Sequence, residues 1–413
     1  MEPIRNPYAP GAGQRPPELA GRDRELDAFE IVLERVARGR PERSLILTGL
    51  RGVGKTVLLN TLRSQAIGAD WGTGKLEARP DQSLRRPLTA ALHMAVRELA
   101  PRHPSPARID EFLGVLKSFA LKVNAADTKL KDRWSPGIDV PATPGRADSG
   151  DIEIDLVELF TAAAGVATDV GTGIAVFIDE LQDLPAADVS ALCAACHELS
   201  QTGAPLIVVG AGLPHLPAVL SASKSYSERL FRYMRIDRLG RDSADLALTL
   251  PAHRENVEFD EKALVELYER SGGYPYFIQA YGKSVWDHAP RSPITADDVR
   301  VAGPEAEAEL AVGFFGSRYD RATPAEREYM RTMAELGEPT TGGRGSRGSE
   351  RPDGADADAV STAEIARSLG RKPASLSPAR DALIKKGLIY SGERGTVAFT
   401  VPHFGRYLRQ NPG

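Results

Sequence analysis

The chain has 413 residues, 42% of them hydrophobic, and 52 Lys and Arg stand against 56 Asp and Glu for a net charge of −4. At roughly 100–200 residues per domain this length predicts two to four domains, with a core that needs no disulfide or structural metal. Two cysteines exclude a disulfide scaffold, no run of about 18 apolar residues offers a membrane span, and the polar, Pro-rich start carries no signal-peptide stretch, so a cytoplasmic protein without a membrane partner is expected.

Residues 1–20 read as an extended arm, because Pro3, Pro7, Pro10, Pro16 and Pro17 oppose a helix. An amphipathic helix follows, with Leu26, Phe29, Val32, Leu33 and Val36 on one face and Asp23 as its N-cap. Ser44–Thr48 is a short buried strand, Val57–Arg63 is helical, and further helices are predicted at Ser83–Leu99 and Ile109–Lys122. After a polar connector at 124–150 come a helix at Asp151–Ala167, a strand at Ile174–Ile178, a helix at Ala186–Ser200 and a strand at Leu206–Val209. Strands alternating with helices predict an α/β fold, a parallel sheet covered on both faces. Beyond Arg241 the pattern turns helical, through Asp242–Thr249, Asp260–Ser271 and Tyr274–His288. Residues 337–360 hold almost no apolar content and read as a linker.

Charge is uneven along the chain. From Ser361 to Gly413 nine basic residues meet three acids, a net of +6, which leaves −10 for the rest. A basic terminal segment on an acidic body points to a polyanion partner or to a solvated Arg-rich face.

Gly49-Leu50-Arg51-Gly52-Val53-Gly54-Lys55-Thr56 fits G-x-x-x-x-G-K-[ST] between a strand and a helical segment that opens at Val57. Glycines at these positions let the backbone wrap a phosphate with its N–H groups inward, and the helix N-terminus adds favourable potential. Lys55 is placed to reach the β- and γ-phosphates and the Thr56 hydroxyl to ligate Mg²⁺. Ile174–Ile178 ends in Asp179-Glu180. In such a site the first acid holds Mg²⁺ and the second activates water as general base.

These Walker A and Walker B motifs, with P-P-E-L-A-G-R-D-R-E-L before them, resemble AAA+/STAND-type P-loop ATPases of the origin-recognition-like branch with a C-terminal winged helix. The resemblance implies an ATPase core over 21–240 with inserted helices and connector at about 83–150, a helical lid over 241–320, and a winged-helix domain over 321–413. It also implies that Leu19, Gly21 and Arg22 lie against the adenine of ATP, that Pro275 approaches the nucleotide from the lid, and that Arg229 or Arg232 is an arginine finger. In the group the strand after Walker B usually ends in a polar residue that orients water; here Val208-Val209-Gly210-Ala211-Gly212 supplies none.

Cys193-Ala194-Ala195-Cys196-His197 spells the haem-attachment signature, but Val189, Leu192, Cys193, Cys196 and Leu199 share one helical face and are expected in the core. Tyr274, Tyr276, Phe277, Tyr281 and Trp286 have helical spacing and are expected mostly in the core of the lid. In the tail, Ser361-Thr362-Ala363-Glu364 reads as a capping box. Ser377-Pro378 reads as the start of a second helix, and Leu388–Tyr390 with Thr396–Thr400 as a hairpin. Helix, turn, helix and hairpin form a winged helix, whose Arg380, Lys385, Lys386 and Arg394 meet double-stranded DNA if the partner is DNA. A protein partner or self-association is the other possibility. The expected function is an ATP–Mg²⁺-dependent switch with Glu180 as base; a nucleotide-gated scaffold with little hydrolysis and a P-loop small-molecule kinase are the alternatives.

Overall fold

The structure is a computed structural model, and it describes all residues except 12, 81, 122–136, 338–358, 392–394, 402 and 412–413, and the side chain of Ser317. Most of the linker expected at 337–360, much of the 124–150 connector, and Arg394 therefore lie outside the described residues; Val360, read as the linker's end, is instead part of a strand. The chain divides into two units: Arg22–Gly49 with Lys55–Ile236, and Met1–Gly21 with Leu50–Gly54 and Asp237–Gly413.

The first of these units is built on a five-stranded parallel sheet in the order β2-β3-β4-β1-β5. Its elements in chain order are α1 (Asp23–Ala37), β1 (Ser44–Thr48), α2 (Lys55–Gly68), β2 (Gly72–Glu77), α3 (Arg85–Leu99), α4 (Pro106–Leu121) and α5 (Ile152–Val170). Then follow β3 (Ile174–Asp179), α6 (Ala186–Thr202), β4 (Leu206–Gly212), α7 (Leu216–Ser223), α8 (Ser227–Leu230) and β5 (Phe231–Arg235). Every residue of β1, β3 and β4 is buried, as continuous apolar runs in a sheet covered on both faces require. Leu45 lies opposite Val209 and Ile178 opposite Gly210, so the carboxyl ends of β1, β4 and β3 come out side by side on one edge.

Two strands of this sheet escape the sequence reading. β2 reads G-T-G-K-L-E, a poor strand by composition. Its glycines serve the packing: a Cβ at Gly72 would fall 2.6 Å from the Ala95 carbonyl oxygen, and Gly74 meets the Ala91 backbone in the same way, so α3 lies directly on this strand. β5 is the opposite edge; Phe231 is buried while Arg232 and Arg235 are exposed. The inserted segment is tied into the core. Arg85 of α3 and Asp155 of α5 form a buried ion pair at 2.5 Å, with the guanidinium also over the Phe119 ring at 4.6 Å. Connector residues 137–150 are held through Lys117, which donates to the carbonyls of Ile138 and Val140, and through Ser149, whose N–H and hydroxyl donate to Asp155.

The other unit contains α9 (Arg241–Arg254), α10 (Glu261–Ser271), α11 (Pro275–His288), α12 (Ala296–Leu310), a π-helical segment Ala311–Gly316, α13 (Ser317–Tyr319) and α14 (Pro324–Leu336). It continues with β6 (Val360–Ser361), α15 (Thr362–Ser368), α16 (Pro373–Lys385), β7 (Ile389–Ser391), β8 (Thr396–Phe399) and α17 (Phe404–Gln410). The last three strands make an antiparallel sheet in the order β6-β8-β7. The core of the unit gathers Phe277, Trp286, Phe315 and Phe404, with Phe315 stacked on Phe404 at 5.9 Å. Phe277, Tyr281 and Trp286 are buried as expected, whereas Tyr274 and Tyr276 are half-buried.

Local chemistry explains where boundaries differ from the sequence reading. Asp23 is the first residue of α1 and Arg22 its N-cap. Pro3–Arg5 makes one 3₁₀ turn inside the arm. Pro373, not Pro378, opens α16; Pro378 sits inside the helix, so Ser377 is not its cap. Ser361 caps α15 through the Ala363 N–H, one residue nearer than the box pattern. Cys193 and Cys196 are buried in α6, and burial pushes the Cys193 thiol up to about 12, which fits inert core residues.

Candidate nucleotide site

β1 ends at Thr48 and α2 begins at Lys55, so the Walker A residues Gly49–Gly54 form the strand-to-helix loop. Gly52 and Gly54 have φ of 85° and 91°, a backbone that favours glycine and turns successive N–H groups to one side. A Cβ at Gly54 would meet nothing within 4 Å, so the requirement there is conformational rather than steric. Val53 is buried and anchors the loop. Lys55 is only 8% exposed, and its ammonium donates to the Gly49 carbonyl at 2.9 Å. Thr56 and Val57 occupy the first turn of α2 and are half-buried.

The loop residues Leu50–Gly54 make backbone bonds within their own unit. The Arg51 N–H donates to the Thr400 carbonyl at 3.0 Å, and the Tyr276 N–H donates to the Gly52 carbonyl at 3.3 Å. Tyr276 follows Pro275, the first residue of α11, which in turn follows Gly272 and Gly273 at positive φ. Gly21, at φ 68°, packs on Ser243; a Cβ there would lie 2.6 Å from its hydroxyl. Leu19 is half-buried and Arg22 is buried.

At the end of β3, Asp179 is 6% exposed and accepts the Glu180 N–H on Oδ1 at 3.0 Å. Glu180 takes a left-handed conformation, φ 49° and ψ 41°, which costs a non-glycine residue about 1–2 kcal/mol. It leads into a 3₁₀ turn, Leu181–Asp183. Gln182, which the sequence reading missed, donates from Nε2 to Glu180 Oε2 at 2.7 Å and accepts the Leu213 N–H on Oε1 at 3.0 Å. Its signal was its place two residues after the paired acids. Arg229 in α8 and Arg232 in the edge strand β5 are both exposed. Among the described residues no group of three or more His, Cys, Asp or Glu has the arrangement of a metal cage.

Three comparisons bear on this arrangement. Residues 18–209 match the family model described as an AAA ATPase domain. With the loop, the acid-tipped neighbouring strand and the sheet order, this makes the sheet-bearing part of the chain a P-loop ATPase fold. Residues 312–408 match a second model, a domain of unknown function, DUF8462. No curated protein matches the sequence. Among solved structures, the Walker-type ATPase paby2304 of Pyrococcus abyssi is similar at a TM-score of 0.58 and 16% identity, covering 96% of this chain and 97% of that one. The Aeropyrum pernix ORC1 protein, solved in complex with DNA, aligns at a TM-score of 0.44 and 14% identity over 99% of this chain and 96% of its own. A Thermotoga maritima RuvB Holliday junction branch migration motor aligns at 0.43 and 17%, over 96% and 99%. The AAA match runs through residues 83–150.

Several of the C-terminal basic residues are paired within the chain. Lys386 meets Glu326 at 2.6 Å, Arg371 meets Glu328 at 2.9 Å and Arg380 meets Asp381 at 2.9 Å. Lys385 is exposed. No described helix is long and apolar enough to cross a membrane.

Proposed function

We propose that the chain is an ATP-dependent switch whose Walker A loop links nucleotide occupancy to its C-terminal segment. The observation that carries this is the loop's own bonding: the Thr400 carbonyl takes the Arg51 N–H, and the Gly52 carbonyl takes the Tyr276 N–H. A loop that reorganises around phosphates must keep or give up these bonds, and so reports its state to α11 and to the residue after β8. The glycine cradle, the buried Lys55 ammonium and the buried Asp179 carboxylate fit a nucleotide triphosphate with its cation. Thr56 and Asp179 would hold Mg²⁺, which supplies charge neutralisation on the phosphates when bound. Leu19, Gly21, Arg22 and Pro275 would frame the base, and Gly49–Gly54, Lys55, Thr56 and Val57 the phosphates. Glu180 would accept a proton from the attacking water, and Arg229 or Arg232, exposed in this chain, would act as a finger on a second copy. A nucleotide-gated scaffold with little turnover is the second reading, favoured by the lack of a polar residue at the end of β4.

The segment of α14–α17 with β6–β8 has the helix, helix and hairpin order of a winged helix, and its partner is DNA or protein. The net +6 of 361–413 favours DNA, while the pairing of Arg371 and Lys386 with Glu328 and Glu326, outside that segment, lowers the charge it can offer. Titrating a short DNA duplex against the full chain at several salt concentrations, with and without ATP–Mg²⁺, tests the coupling. Affinity that falls steeply with salt and shifts roughly 5-fold or more with nucleotide is expected. DNA binding that ignores nucleotide would refute the coupling, and no binding at low salt would assign the segment to protein contacts.

A further inference from the structure

The strand after Walker B ends in Gly210, Ala211 and Gly212, with no side chain able to orient a water or a catalytic carboxylate. Yet a polar group does stand at that strand end, and it comes from elsewhere in the chain. Gln182 reaches from the 3₁₀ turn after β3 to the first residue beyond β4, accepting the Leu213 N–H on Oε1 at 3.0 Å. Gly212 makes the room, since a Cβ there would lie 2.5 Å from that same Oε1. With its oxygen committed to a backbone donor, the amide must turn its nitrogen the other way, and Nε2 donates to Glu180 Oε2 at 2.7 Å. The two partners are of opposite kind, so the amide orientation is decided by chemistry and a flip would set two donors and two acceptors against each other.

We infer that Gln182 is a positioning residue for Glu180: it fixes the carboxylate that activates water, in place of the polar strand-end residue β4 lacks. Three features meet on this one amide. Glu180 sits in a left-handed conformation that needs support from its surroundings. The amide is half-buried and anchored at the far end to the first residue beyond a strand of the core sheet. One Glu180 carboxylate oxygen accepts the amide N–H directly, so the bond sets the position of the carboxylate itself. The inference rests on the proposed role of Glu180 as base.

The test uses the full chain and steady-state ATP turnover, with ATP affinity measured separately. Gln182→Leu removes both bonds. Gln182→Glu keeps an acceptor for the Leu213 N–H but presents oxygen, not N–H, to Glu180, and so separates the structural bond from the positioning one. Both variants should lose kcat by about 10–100-fold, because misplacing a catalytic group by an ångström costs that much. KM and ATP affinity should stay within about 2-fold, the pattern of an interaction used only in the transition state. On a Glu180→Gln background, Gln182→Leu should lower kcat no further. Unchanged kcat in Gln182→Glu, a rise in kcat, or a loss that adds fully to that of Glu180→Gln would overturn the inference while leaving the ATPase reading intact. A wild-type chain that binds ATP without turnover would sink the hydrolytic reading, and this inference with it.

Discussion

Glu180→Gln is expected to lower ATP turnover by about 100-fold or more, because a positioned general base contributes roughly 10²–10⁴ in rate, while ATP affinity holds. The substitution removes basicity and keeps shape. A glutamine at this position still offers an oxygen to the Gln182 amide, so the turn after β3 should retain its bonds. Asp179, which precedes it and accepts its N–H, is untouched, so the group assigned to Mg²⁺ stays in place. The expected signature is therefore a chain that binds nucleotide and holds it. Phosphate release and equilibrium ATP binding, measured on the same preparation, separate the two quantities. A variant that hydrolyses like the wild type would remove Glu180 from the mechanism, and one that loses affinity in parallel would give it a binding role instead.

Asp155→Ala is expected to destabilise the sheet-bearing unit by about 3–5 kcal/mol, the cost of leaving a buried charge without its partner. Asp155 is fully buried and Arg85 nearly so, and they join α5 to α3 at 2.5 Å. The carboxylate also accepts from the N–H and hydroxyl of Ser149 and from the Gly150 N–H, so its loss frees the chain just before α5. Replacing both charges, as Arg85→Met with Asp155→Leu, should cost much less than the single change, since a buried pair exchanged for apolar groups of similar volume is often neutral. Denaturant unfolding of the three proteins checks this ordering. Burial alone would raise the Asp155 pKa, but the bonds from Ser149 and Arg85 outweigh it and hold the carboxyl below its ordinary value. The stabilisation is then complete above the ordinary carboxyl range and fades as pH falls through the lowered value. The gap between Asp155→Ala and wild type should accordingly be widest near neutrality and close in acid. A gap that stays constant down to strongly acidic pH would contradict the assignment.

The parts of the fold that announce themselves in the sequence are those where a single physical demand fixes the residue types. β1, β3 and β4 are covered on both faces, so they read as plain apolar runs; Gly52, Gly54 and Lys55 stand at the G-x-x-x-x-G-K-[ST] spacing, and Asp179-Glu180 marks the end of the β3 run. β2 was illegible because its glycines answer to the backbone of Ala91 and Ala95 in α3, the next element, and glycine carries no strand signal of its own. β5 hid for a related reason: an edge strand with two exposed arginines has little apolar alternation to show. Gln182 was missed because its role depends on Gly212 and the Leu213 N–H, about thirty residues downstream, which only the β3–β4 pairing brings near. The positive C-terminal segment was legible as charge, but its acids on α14 were not, so the sequence overstates what Lys386 and Arg371 can offer a polyanion.

Equilibrium ATP–Mg²⁺ binding to wild type and Lys55→Ala tests the central claim most directly. Lys55 is buried at the start of α2 with its ammonium on the Gly49 carbonyl, within the loop assigned to the phosphates. Losing a charge-assisted hydrogen bond of about 1.5–3 kcal/mol predicts affinity weaker by roughly 10–100-fold in the variant, with the fold intact. Equal affinity in the two proteins, or no ATP binding by either, would contradict the account.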